Sequence, residues 1–77
     1  MRIIYTRHAR QRMKQRKVTE EQVEETLTAP DTLEPSDNGG SVAIRRYGVR
    51  EVRVVYDEPE EDVYVVFTVI KPKIRNQ

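Results

Sequence analysis

The fold is decided by residues 42–70, VAIRRYGVREVRVVYDEPEEDVYVVFTVI, which contain three β-prone runs separated by short polar connections. The runs are residues 42–47, 51–57 and 63–70, each rich in valine, isoleucine or tyrosine. Connections this short join antiparallel strands, because a parallel pair needs a long crossover between its members. The stretch therefore predicts an antiparallel meander, and the run 63–70, apolar on both faces, is predicted to be its central strand.

Two helices are predicted before the meander. Thr6 is suited to cap the first helix, in which Ala9 and Met13 lie on one face at helical spacing. The second helix begins with TEEQ at residues 19–22, the pattern of a capping box, and Pro30 ends it. The chain thus carries two short helices, each with a narrow apolar face that needs a sheet to cover it.

These elements predict an α+β fold, with an N-terminal two-helix hairpin packed on a small antiparallel β-sheet. The link at residues 16–18 is short enough for a hairpin, and residues 2–5 form an edge strand. A chain of 77 residues makes a single domain, residues 1–77. Within it, residues 71–77 are predicted to be a flexible tail.

Composition excludes several classes of function. The chain has no cysteine, which excludes disulfides, thiolate nucleophiles and the usual zinc ribbons. No metal-ligand cluster or glycine-rich phosphate loop is present, so no metal and no cofactor are predicted. No apolar run reaches membrane-spanning length and no signal peptide is visible, so a cytoplasmic protein with no membrane partner is expected.

Charge is unevenly distributed, although the net charge is only +1. Residues 7–17 contain six cationic side chains and no acid, whereas residues 18–34 contain six acids and no base. For phosphate binding the local charge matters more than the sum. The pattern favours a nucleic-acid partner, but not a protein that coats long nucleic acid without specificity.

His8, Arg12 and Arg16 recur every four residues and form one stripe on the first helix. An imidazole, with an unperturbed pKa of about 6.5, can transfer protons near neutral pH, and guanidinium groups can clamp a phosphate. These three residues are therefore the candidate catalytic residues for metal-free chemistry on a phosphodiester. Structural roles for these residues are about as well supported. His8 could donate a hydrogen bond to a backbone carbonyl, and the two arginines could be solvated or form ion pairs with Glu24 or Glu25.

A second cationic group is predicted on the sheet and would supply further nucleic-acid contacts. It consists of Arg45, Arg46 and Arg53, with Tyr47 as a surface on which a base could stack. Arg45 and Arg46 are adjacent in a strand and must point to opposite faces. The alternative for this group is ordinary pairing between strands, with Glu51 as partner.

The motifs resemble the domain-of-unknown-function family 4258. That family's pattern is HAxxRMxxR, present here at residues 8–16, followed by a second helix that begins like VTEEQV at residues 18–23. The last strand of the family is VVTV-like, and residues 65–69 read VVFTV, with Phe67 inserted. Lys17 stands where the family often has glycine. The resemblance covers most of the chain, from the first helix to the last strand.

The layout of that family is similar to that of RelE-like and BrnT-like toxins, in which helices pack on an antiparallel sheet and cationic residues cleave RNA. The resemblance thus implies a small RNA-directed protein, a metal-independent endoribonuclease toxin that would need an antitoxin partner. His8 would transfer protons, Arg12 and Arg16 would hold the phosphate, and Arg53 would assist from the sheet. The alternatives are a non-catalytic RNA- or protein-binding module, and an interaction domain with no nucleic-acid partner.

Overall fold

The computed structural model describes residues 1–37 and 39–73 of the chain. Its elements follow one another in the order β1 (Arg2–Tyr5), α1 (Arg7–Arg16), α2 (Glu20–Thr28), β2 (Thr32–Pro35), β3 (Ser41–Tyr47), β4 (Arg50–Glu60) and β5 (Val63–Ile70). The predicted α+β class is confirmed in the described residues, as two helices and a five-stranded mixed sheet.

The strands lie in the order β1-β5-β4-β3-β2. β3, β4 and β5 form the predicted antiparallel meander, and β1 is an edge strand as expected. The prediction of a wholly antiparallel sheet was wrong, because β1 pairs with β5 in the parallel sense. Both helices and three strands lie between β1 and β5 along the chain, so no tight turn sets their relative direction.

β2 is an element that the sequence pattern did not predict. It has only four residues, all exposed, and pairs antiparallel with β3 at the far edge of the sheet. Pro35 ends it, and a short edge strand that carries proline is typical of sheet margins. Its four residues, TLEP, are too few and end too soon in proline for the sequence alone to distinguish a strand from a loop.

Both helices begin where their caps predict. The Thr6 side chain accepts a hydrogen bond from the Ala9 amide, and the Thr19–Gln22 capping box is complete. Lys17 is the C-cap of α1; it adopts the left-handed conformation at φ 55°, and its amide donates to the Met13 carbonyl. Only three residues, Lys17 to Thr19, then separate the two helices.

Each helix packs on its own strands. α1 lies on β5 and touches β1, whereas α2 lies on β4 and β3, so the sheet supplies most of the contacts of both. The largest fully buried side chains of this interface are β-branched: Val23 and Thr26 from α2, with Val52, Val54, Val66 and Val69 from the sheet. The core is therefore one layer of side chains between two short helices and one face of the sheet.

The strand predicted to be central, β5, lies inside the sheet between β1 and β4, but the middle strand of the five is β4. The helix-side residues Val66 and Val69 are buried, but Phe67 and Ile70 are exposed. A register shift interrupts the β4–β5 ladder: Val66 pairs with Tyr56 and Thr68 with Val55, which leaves Phe67 as the extra residue of a β-bulge. Although β5 has apolar residues on both faces, only the face toward the helices is buried.

The predicted flexible tail is only partly described. The Glu51 amide donates to the Pro72 carbonyl at 3.0 Å, and Lys73 forms a β-bridge with Arg50, so residues 71–73 lie alongside the start of β4. The rest of that prediction, residues 74–77, lies outside the described residues. Within the described part, no helix is long and apolar enough to cross a membrane.

Replacing Thr19 is expected to destabilise α2. Its hydroxyl accepts from the Gln22 amide at 3.1 Å, and the Gln22 side chain accepts from the Thr19 amide at 3.2 Å. Thr19→Ala removes one of these bonds, and N-cap losses cost about 1 kcal/mol. Urea unfolding should show that the free energy of unfolding falls by this amount. Thr28→Ala is the matched control, because the Thr28 hydroxyl bonds only to carbonyls within its own helix; equal losses in the two variants would contradict the cap.

Candidate nucleic-acid interface

The stripe predicted on α1, formed by His8, Arg12 and Arg16 and called the His8 stripe below, lies along one side of the helix. Ala9 and Met13 are buried against the sheet and fix the rotation of the helix. His8 is consequently exposed, and Arg12 and Arg16 are half-buried beside the buried face. The guanidinium Nε of Arg12 donates to His8 Nε2 at 3.4 Å, so the first two members of the stripe are in contact.

Arg12 is held by two neighbours on its own helix. Besides the bond to His8, its Nη1 donates to Gln15 Oε1 at 2.7 Å. The Gln15 bond orients the planar guanidinium, the His8 contact is at the margin of a hydrogen bond, and further N–H donors remain for a ligand. Gln15 was not predicted as part of the site, although its i, i+3 spacing from Arg12 is a signal that could have identified it.

Arg16 makes a different contact. Its Nη1 donates to the Val69 carbonyl of β5 at 3.4 Å, which is the margin of a hydrogen bond. No bond from Arg16 to Glu24 or Glu25 is present, which were the partners considered from the sequence. Arg16 therefore stands where α1 meets the end of β5, one turn beyond Arg12.

The ion pair between the helices is made by Arg10 instead. Its guanidinium lies 4.2 Å from the centre of the Tyr5 ring and bonds Glu20 at 2.6 Å. Burial, followed by the charge of Glu20, raises the pKa of Tyr5. Arg10 is thus committed to joining β1, α1 and α2, on the side of α1 opposite the His8 stripe.

The second predicted group is divided between the two faces of the sheet. On the helix side, Arg45 donates to the Ala29 carbonyl at 2.7 Å and Tyr47 donates to Glu25 at 2.8 Å. Burial and this bond to Glu25 raise the pKa of Tyr47. The Arg45 Nε is buried without a hydrogen-bond partner. Both side chains are therefore occupied in holding α2 on β3.

On the opposite face, Arg46 is exposed, and Arg53 Nε donates to Glu51 at 3.0 Å within β4. Arg46 also pairs with Glu51 in the strand register. The structure thus brings Arg46 and Arg53 near each other but separates them from Arg45 and Tyr47. In the described residues, no hydrogen bond connects either pair to His8, Arg12 or Arg16.

The described residues contain no group of three or more histidine and carboxylate side chains that could hold a metal ion. What the site offers chemically is an exposed imidazole, an oriented guanidinium beside it and a second guanidinium one turn away. Such a set suits a phosphate group, which accepts several charge-assisted hydrogen bonds at once.

Comparison with known families identifies one match. The model of the family described as domain of unknown function (DUF4258) matches residues 5–71. The chain belongs to this family. No curated protein and no solved structure matches it. The family match includes α1, α2 and every strand except most of β1, so the whole His8 stripe lies inside it.

The two residues that depart from the pattern of the sequence resemblance, Lys17 and Phe67, both lie at irregular positions of the backbone. Lys17 occupies a left-handed position at φ 55°, where glycine is the usual residue. Phe67, the residue inserted in the last strand, is the extra residue of the bulge in β5. Membership of DUF4258 thus confirms the resemblance seen in the sequence, while the description of that family assigns no activity.

Proposed function

We propose that this DUF4258 protein is RNA-directed and contacts phosphate groups through the face of α1 formed by His8, Arg12 and Arg16. The observation that carries the proposal is the contact of Arg12 with the exposed His8, at the margin of a hydrogen bond, together with the bond to Gln15 that orients the Arg12 guanidinium. An oriented guanidinium loses little freedom when it binds a phosphate bidentately.

The surrounding charge supports a single local contact. Arg7 and Lys14 are exposed elsewhere on the same helix, whereas two of the four acidic residues of α2, Glu20 and Glu25, are engaged with Arg10 and Tyr47. A cationic helix beside an acidic one attracts a phosphate chain to one place and repels it from the next. This distribution favours binding to a short segment of RNA over coating of a long one.

The activity proposed at this face is metal-independent cleavage of RNA, as in a RelE-like endoribonuclease. His8 would accept the proton of a 2′-hydroxyl, whose oxygen attacks the adjacent phosphorus and displaces the 5′-oxygen. Arg12 and Arg16 would stabilise the negative charge on the phosphoryl oxygens. The leaving 5′-oxygen takes its proton from solvent, which is accessible at this exposed site, and the products are a 2′,3′-cyclic phosphate and a 5′-hydroxyl.

A non-catalytic RNA-binding module is the second candidate, and one observation favours it. In the described residues, Arg12 is the hydrogen-bond partner of His8, and no carboxylate or tyrosine bonds the imidazole. A general acid and a general base together are the usual equipment for this reaction. With only His8 available, the same face can hold RNA without cutting it.

If the protein cleaves RNA in the cytoplasm, it needs a partner that restrains it. We propose an antitoxin protein that covers the α1 face and competes with RNA for Arg12 and Arg16. The placement of both helices on a sheet, with His8 exposed and Arg12 and Arg16 half-buried beside it on α1, supports this proposal. Such a partner would carry carboxylates toward the stripe.

Arg12→Ala is expected to weaken the binding of single-stranded RNA roughly tenfold or more, because a charge-assisted contact to phosphate is lost. The slope of log K against log salt should fall by about 0.7 for one lost contact on a single strand. Fluorescence anisotropy with labelled RNA at several salt concentrations measures both quantities.

Arg50→Ala is the matched control, since it removes the same charge from an exposed position at the start of β4, outside both predicted cationic groups. Equal weakening by the two variants would show that only net charge matters and would contradict an α1 site. Wild-type protein that binds no RNA at any salt concentration would contradict the proposal as a whole and favour an interaction domain.

A further inference from the structure

The aromatic residues of the chain differ in what they contact. The four tyrosines each meet another side chain: Tyr5 under Arg10, Tyr47 bonded to Glu25, and Tyr56 against Tyr64 with ring centroids 5.6 Å apart. Phe67 is the fifth aromatic residue, and 43% of it is exposed. All five lie in the described part of the chain, and Phe67 is the only exposed one among them.

Phe67 is exposed because of the local backbone. It is the extra residue of the bulge in β5, between Val66, which faces the core, and Thr68, which pairs with Val55. Bulges interrupt the alternation of a strand and turn a side chain to a new direction, and they are frequent beside functional sites.

The bulge is attached directly to the start of α1. The Thr6 hydroxyl donates to the Phe67 carbonyl at 3.1 Å, and the Thr6 amide donates to the Val66 carbonyl at 3.1 Å. Thr6 is also the N-cap of α1, and His8 follows it by two residues. Thr6 therefore holds the backbone of Phe67 next to the first turn of the helix that carries the His8 stripe.

We infer that Phe67 is a base-stacking residue of the RNA site, and that the ligand is single-stranded RNA. This inference rests on the proposed function, because it places a base on the Phe67 ring beside the phosphate held by His8 and Arg12. A single strand combines a charged backbone with base faces that are free to stack. The bases of a duplex are stacked on one another and offer no such face to a side chain at the helix surface.

Phe67→Trp gives a direct signal for this contact. The chain has no tryptophan, so the new indole is its sole source of tryptophan fluorescence. A base stacked on the indole should quench this fluorescence when a short oligouridylate binds. Val49→Trp is the matched control, because Val49 is 64% exposed in the turn between β3 and β4 and has no link to α1. Its fluorescence should not change.

Phe67→Ala should weaken the binding of oligouridylate about tenfold and leave the weak binding of a duplex, or of an abasic oligonucleotide of equal charge, unchanged. Circular dichroism and urea unfolding confirm that the variant is folded, which is expected of a substitution at an exposed ring.

The outcomes separate this inference from the proposed function. Absence of quenching in Phe67→Trp, while Arg12→Ala still weakens binding, overturns the stacking role and leaves the α1 site standing. Equal quenching by oligouridylate and by the abasic strand, or in the Val49→Trp control, also overturns it. Wild-type protein that binds no RNA overturns both the inference and the proposed function.

Discussion

His8→Ala should lower the rate of RNA cleavage in EDTA by about 10²- to 10⁴-fold, which is the usual contribution of one general acid–base group. The side chain is exposed on α1, and its described partner is Arg12, so its removal changes few contacts. Binding of RNA, measured by anisotropy, should stay within a few-fold of wild type because both arginines remain. Cleavage is measured with end-labelled RNA, and ribosomes are added in a parallel reaction.

Gln11→Ala is the control for this variant. Gln11 is exposed on the same helix but lies outside the stripe, and cleavage by the variant should equal that of wild type. Wild-type cleavage that persists in His8→Ala would disprove proton transfer by His8. Wild-type protein that binds RNA but does not cut it, with or without ribosomes, would identify the binding module as the function.

Met13→Ala should unfold much of the protein. Ala9 and Met13 are the only buried residues of α1, and Met13 is the only large one, 6% exposed against the sheet. A truncation of this type costs about 2–5 kcal/mol, and a scaffold of this size has roughly 3–5 kcal/mol of stability in all. Urea unfolding followed by circular dichroism should show a midpoint near zero denaturant.

Lys14→Ala changes the next residue of α1, which is exposed. Its unfolding free energy should stay within about 0.5 kcal/mol of wild type. An unchanged midpoint in Met13→Ala would show that the cluster of Tyr5, Arg10 and Glu20, and not the buried face, holds α1 on the sheet. The His8 stripe would then owe its position to that cluster.

Local signals predicted the helices and the meander correctly. Thr6 and the Thr19–Gln22 pair fix the starts of the helices within a few residues, and the spacing of Ala9 and Met13 fixes which side of α1 faces the sheet. The position of the His8 stripe follows from that spacing. It could therefore be predicted without knowledge of the rest of the fold.

Features that depend on distant parts of the chain could not be predicted. The opposite directions of Arg45 and Arg46 follow from strand alternation, but which of them would face the helices depends on the side of the sheet that α2 covers. The parallel direction of β1 likewise depends on a partner about 60 residues away along the chain. The bulge at Phe67 appears only when β5 is aligned with β4.

The pairing of β1 with β5 has a consequence for synthesis on the ribosome. Of the five strands that the structure describes, β1 is made before the other four and pairs with β5, which follows them, and the N-terminal amine bonds Asp62, which directly precedes β5. The nascent chain must therefore keep β1, a β-prone segment, unpaired until β5 has also left the exit tunnel. The pairing of β1 with β5, and with it the seat of α1 on β5, then forms at a rate limited by the search of two segments about 60 residues apart for each other.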